Sequence, residues 1–350
     1  MTPNSKRVFY FEYIPDPIYA EILGRRPEVT LNRLEYAAPS ASNWPVIQAA
    51  HAYQVTAARN ELPAEYGVDA AFLKRCPNLL IVSSHGVGYD TVDVDACTAA
   101  GVAVVNQAGG NKEGVAEHVM AMMLCLSKRL IETDRFMRRQ AGIERNKFLG
   151  NDILGKTIGI VGMGYIGTRV AELCRGPFKM RVLGVAPYVS EAEMRERGAE
   201  KTDHDTLFAT ADVVSINCPL TAETRGMVGA RLLARLKKTA FLVVTARGGI
   251  VDEMALATAL KEKRIAGAGL VVWEPEPPEP SHPLLAFDNV VASPHTAGVT
   301  RESRHNMGVI AAEQMLTALD GERPPRLINP EVWPRFAERY KAAFGRVVKG

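Results

Sequence analysis

An arginine, a carboxylate and a histidine each follow a short apolar run in the second half of this 350-residue sequence. Residues 240–245 lead into Ala246-Arg247-Gly248-Gly249, residues 267–273 into Glu274-Pro275-Glu276-Pro277, and residues 289–292 into Ser293-Pro294-His295. Runs of that length, rich in branched residues, predict strands. The three side chains can share one piece of chemistry. The guanidinium of Arg247 can grip a carboxylate through its fork of donors and polarise a neighbouring carbonyl. The imidazole of His295 can give a proton to that carbonyl or take one from a hydroxyl. Glu276 can orient the ring and keep it protonated near neutral pH. Taken singly, each also suits an ordinary exposed group. Their common position at neighbouring strand ends is what points to a site.

A fourth strand candidate, residues 157–161, runs into Gly162-Met163-Gly164-Tyr165-Ile166-Gly167, and Thr168 to Arg175 reads as a helix. A glycine triplet between strand and helix is the setting in which this spacing means dinucleotide binding. Gly162 permits a tight turn, Gly164 lets the backbone approach a pyrophosphate, and Gly167 lets the helix pack on its strand. A second glycine turn, His85-Gly86-Val87-Gly88, follows the apolar run 79–82 and offers backbone N–H groups to a small carboxylate.

These groups need a frame. Between residues 155 and 293 strand candidates (157–161, 181–186, 212–217, 240–245, 267–273, 289–292) alternate with helix candidates (165–175, 190–197, 204–210, 229–236, 253–263). Such alternation predicts a doubly wound parallel α/β sheet. Residues 7–14 predict a first strand, 101–106 another, 112–140 one long helix, and 300–320 a further helix before a proline-rich tail and a last amphipathic segment.

Composition limits the alternatives. With 42 basic and 39 acidic residues the net charge is +3, and no basic block marks a nucleic-acid surface. No apolar run approaches the roughly 18 residues that span a bilayer. Five cysteines without metal-type spacing read as reduced thiols, so no metal and a cytoplasmic location are expected. At 47% hydrophobic content the length suits about two domains.

The runs Gly86–Asp93, Val115–His118, Gly162–Gly167, Cys218–Thr224, Ala246–Asp252 and Ser293–His295 together resemble the D-isomer-specific 2-hydroxyacid dehydrogenase family, which includes phosphoglycerate dehydrogenase-like and glyoxylate/hydroxypyruvate reductase-like enzymes. The likeness extends over roughly residues 50–330. It implies a Rossmann nucleotide domain, residues 109–299, inserted in a smaller flavodoxin-like α/β substrate domain, residues 1–108 and 300–350. The implied reaction moves a hydride between NAD or NADP and a small 2-oxo or D-2-hydroxy acid, with Arg247, Glu276 and His295 as the catalytic group. Gly162, Gly164, Tyr165, Ile166, Gly167, Cys218, Pro219, Thr224, Thr245, Ala246, Arg247 and His295 would meet the cofactor. Val87, Gly88, Asn111 and Arg247 would meet the substrate, with Arg59 and His85 toward its side chain. The long helix would help to build a homodimer.

Departures from the family pattern fall on the cofactor's path. Ala186 stands where an acidic residue usually accepts the adenosine ribose hydroxyls, and Val271 where an aspartate usually holds the nicotinamide carboxamide. No Arg or Lys follows Ala186 at 187–190 to attract the phosphate of NADP. Asn217 replaces a frequent histidine. Alternatives to the dehydrogenase are therefore a dinucleotide-sensing scaffold on the same fold and an enzyme impaired in cofactor binding.

Overall fold

The structure is a computed structural model that describes residues 5–349 apart from residues 13, 15 and 143. The chain divides into two compact units, one of Met1–Asn111 with Thr300–Gly350 and one of Lys112–Val299.

In chain order the first segment supplies β1 (Lys6–Phe11), α1 (Ile18–Gly24), β2 (Val29–Leu34), α2 (Ser40–Ala49), β3 (Ala52–Val55), α3 (Ala70–Arg75), β4 (Ile81–Ser84), α4 (Val94–Ala100) and β5 (Ala103–Val105). The second unit contributes α5 (Lys112–Ser127), α6 (Leu130–Arg139), β6 (Thr157–Val161), α7 (Tyr165–Arg175), β7 (Arg181–Val185), α8 (Glu191–Glu196), β8 (Glu200–Lys201), α9 (His204–Thr210), β9 (Val213–Ile216), α10 (Ala230–Leu233), β10 (Phe241–Val244), α11 (Glu253–Lys261), β11 (Gly267–Leu270) and β12 (Val290–Ala292). Helices α12 (Arg301–Leu319) and α13 (Trp333–Phe344) then return to the first unit.

The first unit is a five-stranded parallel sheet in the order β2-β1-β3-β4-β5. Successive side chains of β1 face opposite ways, so Phe9 and Phe11 join Tyr53, Tyr66 and Phe72 on one side. Val8 packs on the other with Ala52, Ile81, Tyr19 and Leu23, covered by Ala311, Met315 and Phe336. Phe9 stacks on Tyr53 with centroids 4.2 Å apart.

The second unit is a seven-stranded parallel sheet in the order β12-β11-β10-β9-β6-β7-β8. Its central strands are buried on both faces, as the unbroken apolar runs Val213–Ile216 and Phe241–Val244 require. The chain winds outward from β6 to β8, then starts again at β9 and winds the other way. The reversal lies between β6 and β9, where a sheet of this kind opens a crevice at its C-terminal edge.

The expected helix over 112–140 is instead two. Arg129 adopts a left-handed conformation, φ 53°, between α5 and α6. That geometry ends the regular ladder, and Arg129 is held in it by a bond from Nε to Glu132 (2.8 Å) and another from Nη1 to the Lys147 carbonyl (2.6 Å). The first strand stops at Phe11 rather than residue 14, and β11 stops at Leu270 rather than 273.

Candidate active site

Gly162 ends β6 at φ +95°, and a Cβ there would come within 2.6 Å of the Cys218 nitrogen. A Cβ on Gly167 would lie 2.1 Å from the Gly162 carbonyl oxygen, so only glycine lets α7 seat on the turn. Gly164 differs from both. Nothing lies within 4 Å of the place its Cβ would occupy. That open space lies directly before Tyr165 and Ile166, the first residues of α7, which has no side-chain cap. Donors at a helix start, next to open space, suit a pyrophosphate, so the residues present fit a dinucleotide.

Across the reversal of the sheet, the loop after β9 is ordered by its own side chains. Thr224 Oγ1 donates to the Pro219 carbonyl at 2.7 Å and accepts the Thr221 N–H at 2.7 Å. Burial pushes the Cys218 thiol up to about 11, so it stays a neutral wall of that loop. The Thr245 hydroxyl donates to Asn217 Oδ1 at 3.2 Å, and Asn217 Nδ2 donates to Ser215 at 2.9 Å. Asn217 thus links the ends of β9 and β10.

Arg247, Glu276 and His295 fall after β10, β11 and β12. His295 Nδ1 lies 2.8 Å from Glu276 Oε2. The other carboxylate oxygen accepts the Trp273 N–H at 2.9 Å. The His295 backbone is itself fixed, at φ 52°, with its N–H on the Val271 carbonyl at 2.7 Å. Burial alone would raise the Glu276 carboxyl. The hydrogen bond and charge of His295 oppose it, with the Trp273 N–H and the charge of Arg247, and the net direction is down. Glu276 is therefore an anion in a half-buried place, and Arg247 stands near enough to act on it.

Residues to which the sequence reading gave no role in the site support this group. The Trp273 indole donates to the Ser293 carbonyl at 3.1 Å, tying the loop of Glu276 to that of His295. Glu253, at the start of α11, accepts the Glu274 N–H at 3.0 Å and pairs with His282 at 2.9 Å. His118 on α5 lies 3.3 Å from the Ser293 hydroxyl. The only sequence signal for Trp273 was its place beside the Glu-Pro run.

Val271, buried and apolar, continues β11 past its last ladder residue. Ala186 is half-buried just past β7, where its carbonyl accepts the Val189 N–H at 3.2 Å. Neither offers a carboxylate.

Val87, Gly88 and Asn111 belong to the first unit. Asn106 Nδ2 donates to the Val87 carbonyl and Ser84 Oγ to the Gly88 carbonyl, each at 2.7 Å. A turn whose acceptors are satisfied internally is left with donors, the polarity that a carboxylate needs. Asn111 Oδ1 is buried with no partner among the described residues. At the C-terminal ends of β1 to β4 lies a cavity of about 370 Å³ whose walls include Glu12, Tyr36, Tyr53, Gln54 and His85. Burial, then the charge of Arg304, push the His85 imidazole down to about 4 and leave it neutral. Arg59 instead gives its Nε to the Asp90 carbonyl at 2.7 Å.

Among the described residues no helix is long and apolar enough to cross a membrane, and no three His, Cys, Asp or Glu side chains cluster to hold a metal ion. Residues 120–297 match the family model described as D-isomer specific 2-hydroxyacid dehydrogenase, NAD binding domain. The glyoxylate reductase of Aeropyrum pernix is 42% identical over 271 residues, which are 76% of this chain and 81% of that one. The D-3-phosphoglycerate dehydrogenase of Archaeoglobus fulgidus is 40% identical over 76% of this chain, and the match spans only 50% of that protein. The crystal structure of D-lactate dehydrogenase from Aquifex aeolicus, complexed with NAD and lactic acid, is similar at a TM-score of 0.74 and 26% identity, over 90% of this chain and 96% of that one. With half the sequence matching the family model and relatives at this identity, the chain belongs to the D-isomer specific 2-hydroxyacid dehydrogenase family.

Proposed function

We propose that the protein catalyses reversible, NAD- or NADP-linked reduction of a small 2-oxo acid to a D-2-hydroxy acid. The observation that carries this reading is the His295–Glu276 pair, 2.8 Å apart and within reach of the Arg247 charge, at the strand ends of a dinucleotide fold. We assign Gly162, Gly164, Tyr165, Ile166 and Gly167 to the pyrophosphate, and Cys218, Pro219, Thr224, Thr245 and Ala246 to the rest of the cofactor. The bound nicotinamide supplies or accepts the hydride. Arg247 grips the substrate carboxylate and draws density from the adjacent carbonyl. His295 holds the proton that the carbonyl oxygen takes, or accepts it in the reverse direction. Glu276, bound at Nδ1, fixes the ring so that Nε2 is the nitrogen that exchanges the proton. From the first unit we assign Val87, Gly88 and Asn111 to the substrate.

The test is His295→Gln. Oxidation of NADH and NADPH with glyoxylate and with hydroxypyruvate should slow by about 100- to 10,000-fold, the usual worth of a positioned acid–base group. Dinucleotide binding, followed by fluorescence, should fall far less than turnover, since His295 is only one of the residues expected to meet the cofactor. Turnover equal to wild type would remove His295 from the reaction. A second reading, a dinucleotide sensor, draws on Val271, which places a buried apolar side chain where the family pattern has an aspartate. Binding without turnover across a panel of 2-oxo acids would favour it.

We further propose a homodimer in the cytoplasm. Five free cysteines suit a reducing compartment, and α6 has no buried residue, which suits a helix covered by a second copy.

A further inference from the structure

The stretch after Ala186 carries no cation, but folding brings two to it from farther along the chain. Arg197, directly after α8, donates from Nη1 to the Met163 carbonyl at 2.5 Å, inside the glycine loop. Lys201, on β8, donates from Nζ to the Val189 carbonyl at 2.6 Å. Val189 closes the turn that begins at Ala186, through its N–H to the Ala186 carbonyl at 3.2 Å. Lys201 is also the ladder partner of Gly184, close to the end of β7. A guanidinium is thus tied to the phosphate loop and an ammonium to the turn that begins at Ala186.

Each cation keeps donors to spare, since an arginine carries five N–H groups and a lysine three. Glu193 feels both charges, and it is already engaged. Its Oε2 accepts the Ser190 N–H and the Ser190 hydroxyl, each at 2.9 Å, in the capping box of α8. The two cations therefore stand by the turn that, in this fold, meets the adenosine ribose hydroxyls, where a carboxylate would repel a 2′-phosphate.

We infer that Arg197 and Lys201, tied to the glycine loop and to the Ala186 turn, form a binding site for the 2′-phosphate of NADPH, so that this chain prefers NADPH to NADH. The inference rests on the dinucleotide reading proposed above and adds to it which of the two cofactors is used. It reverses the expectation from residues 187–190 alone, because the attracting charges come from the end of α8 and from an edge strand.

The experiment is calorimetric titration of the full chain with NADPH, NADH, 2′,5′-ADP and 5′-AMP, repeated on Lys201→Gln, Arg197→Gln and Ala186→Asp. Wild type should bind NADPH at least about tenfold more tightly than NADH, and 2′,5′-ADP more tightly than 5′-AMP, as expected for charge-assisted hydrogen bonds to phosphate. Lys201→Gln should weaken NADPH by about tenfold and leave NADH within about twofold, and Arg197→Gln, which also frees the Met163 carbonyl, should weaken NADPH by at least about fivefold more than NADH. Ala186→Asp should reverse the preference. NADH bound as tightly as NADPH, or equal losses of both in the glutamine variants, would overturn the 2′-phosphate site while leaving the dinucleotide fold intact. If none of the four ligands binds a folded protein, the dinucleotide reading itself fails.

Discussion

Glu276 is kept ionised by its neighbours, since burial alone would drive its carboxyl upward. The sign of the resulting pH dependence follows from linkage. A carboxyl depressed on folding, from an ordinary value of 4.5, contributes stability that is fully present above that value and lost as pH falls through the lower folded one. The stability difference between wild type and Glu276→Gln should therefore narrow once the pH drops below about 4.5. Urea denaturation at a series of pH values checks this, and a gap that widens in acid would contradict it. A second residue makes the opposite kind of statement. Gln54, only 6% exposed, has neither amide atom paired among the described residues, in the wall of the first unit's cavity. Replacing it with Leu removes the desolvated donors and acceptor while roughly keeping the volume. Gln54→Leu should stabilise the protein by about 1–3 kcal/mol. A lower denaturation midpoint for the variant would mean that the amide is bonded in solution. The two residues also differ in how visible they were. Glu276 announced itself by following a strand beside other chemistry-bearing residues. Gln54 sits inside a strand, where nothing local distinguishes an unpaired amide from a satisfied one.

At the scale of elements, the glycine loop separates two roles that one motif usually merges. Gly167→Ala puts a methyl 2.1 Å from the Gly162 carbonyl, a backbone atom with little freedom to yield. It should cost about 1–3 kcal/mol of stability, as overpacking does, and dinucleotide binding should fall because α7 is pushed off its strand. Gly164→Ala meets nothing within 4 Å, and Gly164 has an ordinary φ of −80°. It should leave the melting temperature within a degree or two while weakening dinucleotide binding, since the methyl occupies space the pyrophosphate needs. Equal melting losses in both variants would show that Gly164 is structural too. The strands carrying this loop and the catalytic group were legible because buried parallel strands are short unbroken apolar runs. The break between α5 and α6 was not. It is made at Arg129, whose residue type gives no sign of a left-handed turn, and one of the bonds that stabilise the turn runs to the Lys147 carbonyl, well outside the helix. The short, polar β8 left no hydrophobic trace, and with it went the position of Lys201.

At the scale of the whole molecule, α6 is out of place in a lone chain. Its ten residues include none that is buried, and Leu130 and Met137 are 56% and 65% exposed. Leu149 and Leu154, in the connection to β6, are 81% and 63% exposed. Short helices are marginal in water without an apolar face to bury. Large exposed apolar side chains gathered in one segment mark an interaction surface more often than a solvated one. The long-helix expectation therefore failed in geometry, yet the same segment retains the apolar side chains on which the dimer proposal rests. A second copy covering α6 would supply the missing burial. Light scattering on the eluting protein should then give twice the chain mass of 38.1 kDa. Leu130→Glu combined with Met137→Glu should shift the population to monomer, because each introduced carboxylate would lose its water at the interface. Far-ultraviolet circular dichroism of the remaining secondary structure should be nearly unchanged, since neither side chain packs inside the unit. A wild type that elutes as a monomer at all concentrations would leave α6 as a solvated helix. It would then be held by bonds such as the Arg138–Asp134 pair at 2.8 Å and by the edge contact of Phe136 with Phe148.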